Sequence, residues 1–422
     1  MLGAVLAGAG LILCLYVGVL VLADLYLIAV HLRGSHRHPA QEPAGCRQAD
    51  SGRGHEPLVC VQLPVFNEAK LVGAAIDSLC ALDWPRDRLE IMVLDDSTDE
   101  TSSIVARKVE EWRLKGLAIR HVTRPNRDSF KAGALAAGQQ LTKAQYFAIF
   151  DADYRPPPSF LRQTMAALLA DPGLAFVQAR LGYRNRERNA LTRAQALELD
   201  TLFGFEQAAR NWAGMPMTFN GTCGVWRREA IDQAGGWRGD SVAEDQDLSF
   251  RAFTLGWRCR LLLDVSAAGE LPDNFEALAL QRQRWSTGTA QVFRKLPWAL
   301  LHSMPWPQAT AFAFLTLFYS SAAAVLVAIL AIAAVCWLVA PGWALVIALG
   351  WVATVALLVV LRTIGAALAA RRLGRPLNLA FLGDVVAHWL MQLVLLPTGG
   401  KALVAGYLAR AVPFARTPKK GH

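Results

Sequence analysis

Charged residues are scarce in this sequence: they make up 18% of its 422 residues, whereas 54% are hydrophobic. A chain this apolar does not match an ordinary soluble enzyme, and it is too long for one compact core. The stretch from about Leu2 to Val30 carries one acidic residue, Asp24, and exceeds the roughly 20 residues that cross a bilayer. It lacks a basic n-region and a small-x-small cleavage site, so it predicts a retained anchor rather than a cleaved signal peptide.

Two glycine-rich phosphate-binding motifs are also missing. No Gly-x-Gly-x-x-Gly follows the first predicted strand and no Walker A sequence occurs, which argues against a dinucleotide enzyme and a P-loop NTPase. The seven cysteines show no paired spacing, which favours reduced thiols in a cytosol-facing protein. The net charge is +9, but the sequence contains no basic block with interleaved aromatic residues. The positive charge therefore indicates binding to anionic lipids and an anionic substrate rather than to nucleic acid.

Three further apolar runs follow the central part of the chain, from about Ala309 to Ala340, Trp343 to Ala369 and Leu379 to Pro397. Between Gly54 and Trp285 charges are dense and no window can span a membrane. The predicted order is an anchor (1–32), a soluble domain (54–286), interfacial helices (287–308), transmembrane or interfacial helices (309–413) and a basic tail (414–422).

Basic residues follow the first and third apolar runs and occupy the end of the chain. Under the positive-inside rule they place the soluble domain in the cytoplasm, on the cell (inner) membrane. Four spans would leave the basic tail outside. The stretch from Thr398 to Pro413 is therefore either a short return pass or an interfacial helix, and Lys401 and Arg410 favour the interfacial helix.

The soluble domain alternates apolar strands with helical patterns. The predicted strands are "PLVCVQLPVFNE", "LEIMVLDDSTDET", "LAIRHVT", "YFAIFDAD" and "LAFVQARL". Strands separated by helices of about 10 to 15 residues indicate an α/β domain with a mostly parallel sheet. Ligands of such sheets bind outside the carboxyl ends of the strands, and those ends carry Glu68, Asp95, Asp96, Asp151 and Asp153.

The pair Asp151 and Asp153 directly follows a buried strand. Carboxylates repel phosphate unless a divalent cation lies between them, and an all-oxygen site suits Mg²⁺ or Mn²⁺. On its own an Asp-x-Asp pair is as readily a helix cap or a solvated turn. Its position opposite Asp95 and Asp96 favours a metal that grips a diphosphate.

Three acids open a predicted helix at Glu244, Asp245 and Asp247. Acids commonly complement the dipole of a first helical turn, but three in four residues exceed what capping requires. A carboxylate within reach of a sugar hydroxyl can serve as general base. These residues are therefore candidates for catalysis.

Two further stretches are candidates for substrate contacts. In "QRQRW", Arg284 could neutralise a leaving pyrophosphate and Trp285 could offer a flat face to a sugar, although any interfacial helix could carry these residues. Just downstream, Lys295, Trp298 and Trp306 suggest an amphipathic helix at the membrane surface. The loop in "TFNGTCGVWRREAI" is either a simple hairpin or an acceptor site.

The ordered motifs "PVFNE", "DDSTDET", "FKAGAL", "DAD", "FNGTCGVWRR", "AED", "QRQRW" and "RTPKK" cover nearly the whole chain. Together they resemble the membrane-integrated family 2 glycosyltransferases, which include cellulose synthase-like, glucomannan synthase-like and ceramide glucosyltransferase-like enzymes. The resemblance implies a GT-A (Rossmann-like) domain with a transmembrane helix bundle. It also implies inverting transfer from a UDP- or GDP-linked sugar to a lipid or polysaccharide acceptor.

The resemblance also implies roles for individual residues. The nucleotide-sugar would contact Pro64, Glu68, Asp96, Lys131, Asp151, Gln281, Arg284 and Trp285. The acceptor would meet Gly221, Thr222, Cys223 and Trp285, Asp151 and Asp153 would act with the metal, and Asp245 beside Glu244 would be the base. The family's usual Thr-Glu-Asp reads Ala243-Glu244-Asp245 here, so a hydroxyl near the acceptor is missing.

Three alternatives remain at the level of sequence. A polysaccharide synthase would elongate a chain, whereas a lipid glycosyltransferase would add one sugar to a ceramide or another lipid. A transporter or a catalytically inactive scaffold would instead use the intramembrane residues Asp384 and His388. The intact set of carboxylates favours an enzyme, because a scaffold has no physical reason to keep it.

Overall fold

The computed structural model of the protein describes residues 18–34, 56–295 and 341–408. A seven-stranded sheet in the order β3-β2-β1-β4-β6-β5-β7 forms the centre of residues 56–295. Its strands are β1 (Val59–Val65), β2 (Leu89–Asp95), β3 (Ala118–Thr123), β4 (Tyr146–Ile149), β5 (Leu174–Tyr183), β6 (Gly224–Arg227) and β7 (Arg258–Gly269). All neighbouring strands pair in parallel except β6, which is antiparallel to both β4 and β5. The predicted mostly parallel α/β class is confirmed.

Helices cover both faces of the sheet and continue beyond it. They are α1 (18–34), α2 (Ala69–Cys80), α3 (Thr101–Leu114), α4 (Phe130–Gln140), α5 (Phe160–Leu169), α6 (Ala190–Thr201), α7 (Ala208–Trp212), α8 (Arg228–Gln233), α9 (Glu244–Thr254), α10 (Phe275–Lys295), α11 (Pro341–Arg372) and α12 (Leu379–Leu408). A π-helical segment, Leu202–Gln207, joins α6 to α7. Because helices shield both faces, β1 reads as a nearly continuous apolar run whose residues are almost all buried.

The topology gathers the ends of four strands at one edge. The parallel strands β1, β2 and β4 end there at Val65, Asp95 and Ile149. Because β6 runs in the opposite direction, it begins at this edge with Gly224, and the loop of residues 218–223 arrives beside the other three ends. Neither β6 nor β7 is among the strands that the sequence predicts.

Two of the C-terminal helices are long and apolar enough to cross a membrane: Val352–Arg372 within α11, and α12. The stretch from Thr398, predicted as a return pass or an interfacial helix, begins inside α12, which continues through Pro397 to Leu408 as one helix. Similarly, the predicted boundary between residues 286 and 287 falls inside the continuous helix α10. The predicted run 309–340, Trp298, Trp306, Arg410 and the tail 414–422 lie outside the described residues.

Candidate active site

A single cleft at the carboxyl edge of the sheet collects nearly all of the candidate residues. It is lined by Pro64, Glu68, Asp96, Lys131, Asp151, Asp153, Gly221, Thr222, Glu244, Asp245, Gln281, Arg284 and Trp285. These side chains come from strand ends, from loops and from the starts or faces of α4, α9 and α10. Residues spread over more than 200 positions of the chain thus share one solvent-filled space.

The loops after β1 and β2 form the first wall of the cleft, and hydrogen bonds connect the two loops. Asn67 adopts a left-handed backbone (φ 54°), which asparagine tolerates better than most residues. Its backbone N–H donates to Ser97 Oγ at 2.9 Å, and its Oδ1 accepts from the N–H of Thr98 at 2.9 Å. The neighbouring Glu68 lines the cleft.

Asp95 is the last residue of β2 and Asp96 follows it, but the two carboxylates have different surroundings. Asp95 is buried and bonds His121 Nε2 at 2.8 Å; although burial raises its pKa, hydrogen bonds from His121, Ser97 and other donors lower it to about 2. Asp96 faces the cleft, and Arg124 grips both its oxygens, with Nε at 2.9 Å from Oδ1 and Nη2 at 2.5 Å from Oδ2. Asp95 is therefore a fixed internal anion, whereas Asp96 is a preformed part of the cleft wall.

Lys131, in the first turn of α4, sits among the carboxylates. Its Nζ donates to Asp151 Oδ1 at 2.5 Å and to the carbonyl of Gly221 at 2.9 Å. Burial opposes its charged form, but Asp151, Glu244 and Asp245 together raise its pKa above the ordinary value. Lys131 is thus a permanent cation in the cleft.

The two aspartates after β4 present oxygen atoms only. Asp153 is 3% exposed, and its Oδ2 accepts a long hydrogen bond (3.4 Å) from the N–H of Glu270. Among the described residues, no group of three or more His, Cys, Asp or Glu side chains is placed to hold a metal by itself. Asp151 and Asp153 therefore fit a hard divalent ion that takes its other ligands from phosphate and water.

Glu244 and Asp245 open α9 side by side. Burial, and then the charge of Glu244, raise the pKa of Asp245 from 3.8 to about 7, although Lys131 opposes the shift. Burial also raises the pKa of Glu244. A carboxyl that changes charge near neutral pH is suited to taking up and releasing a proton.

The loop before β6 requires a glycine at position 221. Gly221 has a left-handed backbone (φ 76°), and a Cβ there would lie 3.0 Å from Asp245 Oδ2 and 3.5 Å from Lys131 Nζ. Next to it, Thr222 Oγ1 accepts the N–H of Asp151 at 3.0 Å. The loop therefore packs its backbone directly against the catalytic candidates.

The cleft face of α10 carries Gln281, Arg284 and Trp285. Their spacing of i, i+3 and i+4 places them on one side of the helix. The sequence motif and the helical period thus agree on which of these side chains reach the cleft.

Two of the candidate residues, Asp247 and Cys223, do not line the cleft. Asp247 instead pairs with Arg251 at 2.8 Å. The other is Cys223. It is fully buried, with its Sγ 3.5 Å from Thr222 Oγ1. Cys223 directly precedes β6 and has a left-handed backbone (φ 59°), and this turn of the loop leaves its side chain in the hydrophobic core. Its thiol is free, like those of Cys60, Cys80 and Cys259.

The sequence analysis assigns no role to several residues that line the cleft. Arg127 lies with its Cζ 3.3 Å from the ring centroid of Phe66, and both residues line the cleft with Tyr154, Leu181 and Asn220. The phenylalanine of "PVFNE" is a visible signal, since an aromatic residue at a strand end is open to ligand contact. Arg127 belongs to a loop with no pattern of its own, so only the fold reveals it.

Three comparisons with known proteins bear on this arrangement. The sequence family described as Glycosyl transferase family group 2 matches residues 146–368, just over half of the chain. A probable glucomannan 4-beta-mannosyltransferase 7 of Oryza sativa subsp. japonica is 41% identical over 259 residues, which is 60% of this chain and 44% of that protein. Glucomannan 4-beta-mannosyltransferase 2 of Arabidopsis thaliana is 43% identical over 249 residues, or 58% of this chain and 47% of the relative. The chain thus spans about half the length of the curated relatives it matches.

A solved structure is similar over a larger share of the chain. The mannosyltransferase PcManGT from Pyrobaculum calidifontis, solved with GDP-Man and Mn²⁺, is 25% identical and has a TM-score of 0.53. The similarity covers 82% of this chain and 97% of that one.

Proposed function

The chain belongs to glycosyl transferase family group 2, and from that premise we propose that it is an inverting, metal-dependent β-mannosyltransferase that uses GDP-mannose to extend a polysaccharide at a membrane surface. The curated relatives named above are glucomannan 4-beta-mannosyltransferases, and the solved relative carries GDP-Man and Mn²⁺ in its name. Mannose and guanine are therefore the first choices for the sugar and the nucleotide.

One observation carries the proposal. Asp245, a carboxyl whose pKa is raised to about 7, shares the cleft with the acid pair Asp151 and Asp153 and with the cations Lys131 and Arg284. A base, an oxygen-only metal site and two positive groups are the parts that sugar transfer from a nucleotide diphosphate requires.

The donor occupies the side of the cleft formed by the β1, β2 and β4 ends. Pro64, Glu68 and Asp96 border the nucleoside, while Lys131 and Arg284 approach the diphosphate and offset the charge that develops on it as the glycosidic bond breaks. Asp151 and Asp153 would hold Mg²⁺ or Mn²⁺, which supplies further positive charge to the diphosphate.

The acceptor enters between Gly221, Thr222 and Trp285. Its hydroxyl approaches the anomeric carbon from the face opposite the leaving diphosphate, and Asp245 takes the proton from that hydroxyl as the new bond forms. A single base and one direct displacement invert the anomeric carbon, so an α-linked donor yields a β-linked product.

The helices that adjoin the cleft support a position at a membrane. α10, which carries Gln281, Arg284 and Trp285, packs along α12, a candidate membrane span. We place the catalytic domain on the cytoplasmic side of the cell membrane, where nucleotide-sugars are made. The relatives favour a polysaccharide acceptor over a lipid that receives a single sugar.

The transporter or scaffold alternative has lost part of its support. The intramembrane carboxylate Asp384, on which it relies, is paired with Arg193 of α6 at 2.9 Å. A structural ion pair between the two parts of the molecule accounts for this residue without transport.

The test uses the full chain purified in detergent or lipid nanodiscs. We expect GDP release from GDP-mannose that requires Mn²⁺ or Mg²⁺ and increases with a manno-oligosaccharide acceptor. The product should be extended by mannose in mass spectrometry and be cut by a β-mannanase. UDP-glucose and UDP-N-acetylglucosamine serve as alternative donors. Absence of nucleotide binding and release with every donor would refute the enzyme and favour the scaffold.

A further inference from the structure

Arg282 is the second residue of the "QRQRW" motif, but it does not line the cleft as Gln281, Arg284 and Trp285 do. It is rotated by about 100° around α10 from Gln281, and it is buried, with 7% of its surface exposed. It turns toward α6, where both guanidinium arms meet Glu198: Nη1 to Oε1 and Nη2 to Oε2, each at 2.7 Å. This is the bidentate geometry that fixes a guanidinium in one plane.

The same guanidinium faces Trp285. Its Cζ lies 4.6 Å from the centroid of the indole ring, one helical turn along α10. Trp285 also packs against an apolar cluster that includes Leu199 and Leu271. The indole is therefore held by a cation over its ring and by aliphatic groups beside it, while it still lines the cleft.

Stability alone does not call for an ion pair at this place. Removing two charges from water costs about as much as their attraction returns, and an apolar pair of similar volume is commonly as stable. What an apolar pair cannot do is hold a flat cation at a defined position over an aromatic ring. Glu198 and Arg282 come from segments 84 residues apart and meet beside this ring.

We propose that Arg282, clamped by Glu198, is a positioning residue that sets the plane of the Trp285 indole and thereby the stacking of the acceptor sugar. The inference rests on the proposed function, because it takes Trp285 as part of the acceptor site. A sugar stacks on an indole through one flat face, so a rotation of the ring moves the acceptor hydroxyl relative to Asp245.

The variants separate positioning from folding. Glu198→Gln leaves an unmatched guanidinium, whereas Glu198→Leu with Arg282→Met replaces the pair by apolar groups of similar size. We expect the double variant to recover the melting temperature that the single variant loses. Both should nevertheless raise KM for the manno-oligosaccharide about five-fold, the worth of a cation–π contact, with KM for GDP-mannose unchanged. A double variant that recovers the acceptor KM together with the melting temperature would reduce the pair to a structural role and overturn the inference.

A matched control is available in the ion pair between Arg193 and Asp384. It also joins α6 to a neighbouring helix, at 2.9 Å, but involves neither α10 nor Trp285. Asp384→Asn should change the melting temperature without changing KM for the acceptor. An acceptor KM that rises equally in this control would show that any loosening of α6 suffices, and the inference would fail.

A readout independent of turnover follows the ring itself. With 5-fluorotryptophan incorporated and the Trp285 signal assigned by Trp285→Phe, the ¹⁹F resonance should shift in the double variant and stay in place in Asp384→Asn. An unshifted resonance would refute the positioning role. A wild-type enzyme inactive on all acceptors would refute the proposed function instead, so the two failures are distinguishable.

Discussion

The cleft brings the cationic side chain of Lys131 close to several carboxylates. Asp151, Glu244 and Asp245 all act on Lys131, which itself bonds Asp151 at 2.5 Å. Burial and the neighbouring Glu244 keep the proton on Asp245 up to about pH 7 in the ligand-free protein. The base that we propose is therefore only partly ionised at neutral pH before substrate binds.

This charge arrangement predicts the pH dependence of the reaction. Because the base must be ionised, log(kcat/KM) should rise with pH and level off above about pH 7. This rising limb reports the pKa of Asp245 in the enzyme without bound substrate. Lys131→Met removes a cation that lowers the pKa of Asp245, so the limb should move to higher pH at whatever activity remains. A flat profile between pH 5 and 8 in the wild type would contradict the assignment.

Replacing the base should separate catalysis from binding. Asp245→Asn should abolish transfer while GDP-mannose binding, measured by calorimetry, stays close to wild type, because the base acts only in the transition state. Wild-type turnover in this variant would disprove the role of Asp245.

The same variant should change stability in a pH-dependent way. A raised pKa in the folded state means that the stability contribution of Asp245 is complete below its ordinary value of 3.8 and is lost as the pH rises to about 7. Without ligand, the melting temperature of Asp245→Asn should therefore exceed that of the wild type by a margin that grows from pH 5 to 7 and is constant above.

The metal site can be tested without turnover. Asp153→Ala removes one of the two oxygen-bearing side chains after β4, so it should weaken Mn²⁺ binding in the presence of GDP at least ten-fold, as read by electron paramagnetic resonance. Asp87→Ala, which alters an exposed carboxylate in another loop, is the control and should leave Mn²⁺ affinity unchanged. Equal Mn²⁺ affinities in the wild type and Asp153→Ala would exclude Asp153 as a ligand.

Among the elements, α10 and α12 make the contact that joins the cleft to the candidate membrane span. Thr287 Oγ1 donates to the carbonyl of Ala402 at 3.2 Å, and Gly406 lies against the same turn of α10. A Cβ on Gly406 would lie 2.6 Å from the carbonyl oxygen of Thr287 and 2.7 Å from Ala290 Cβ. The two helices can approach this closely only because residue 406 has no side chain.

This packing predicts opposite effects for two glycines of α12. Gly406→Ala should lower the melting temperature in detergent, because backbone rather than a flexible side chain blocks the added methyl group. Gly383→Ala is the matched control: nothing lies within 4 Å of its Cβ, so the higher helix propensity of alanine, about 1 kcal/mol, should leave stability unchanged or raise it. Equal effects of the two substitutions would contradict the close approach of α10 and α12.

At the scale of the whole molecule, buried ion pairs connect the three described parts of the chain. Arg362 of α11 donates to Asp24 of α1 and to Glu206 of the π-helical segment, each at 2.7 Å. Asp24 and Glu206 are both buried. One arginine thus joins the N-terminal helix, the α/β domain and a candidate membrane span.

Removing that arginine should loosen the junction. Arg362→Gln removes the shared partner of Asp24 and Glu206; Glu206 keeps Arg210 at 3.5 Å, whereas Asp24 loses the arginine that it bonds. Removing one partner of a buried ion pair costs about 3 to 5 kcal/mol. The melting temperature should fall by several degrees, and adding Asp24→Asn should restore part of it. Arg371→Gln, an exposed arginine of the same helix, serves as the control. Equal stability of the Arg362 and Arg371 variants would show that the junction does not depend on this network.

Much of the architecture and of the cleft follows from local sequence. Apolar strands alternating with helices dictate a mostly parallel sheet, and the carboxyl ends of parallel strands share an edge, so Glu68, Asp96 and Asp151 had to approach one another. Helical periodicity alone places Gln281 and Trp285 on one face of α10. The family, the sheet class and the identity of the acidic residues are legible without coordinates because each depends on short-range pattern.

Only the tertiary structure decided the contacts between distant segments. The antiparallel insertion of β6 brings Gly221 against Asp245, and the loop before β6 buries Cys223 in the core. The raised pKa of Asp245 arises from burial that no local pattern records, and Arg282 meets Glu198 across 84 residues. A sequence motif specifies which side chains a segment carries. The electrostatic field, the depth of burial and the partner of each side chain are set by the segments that pack around it.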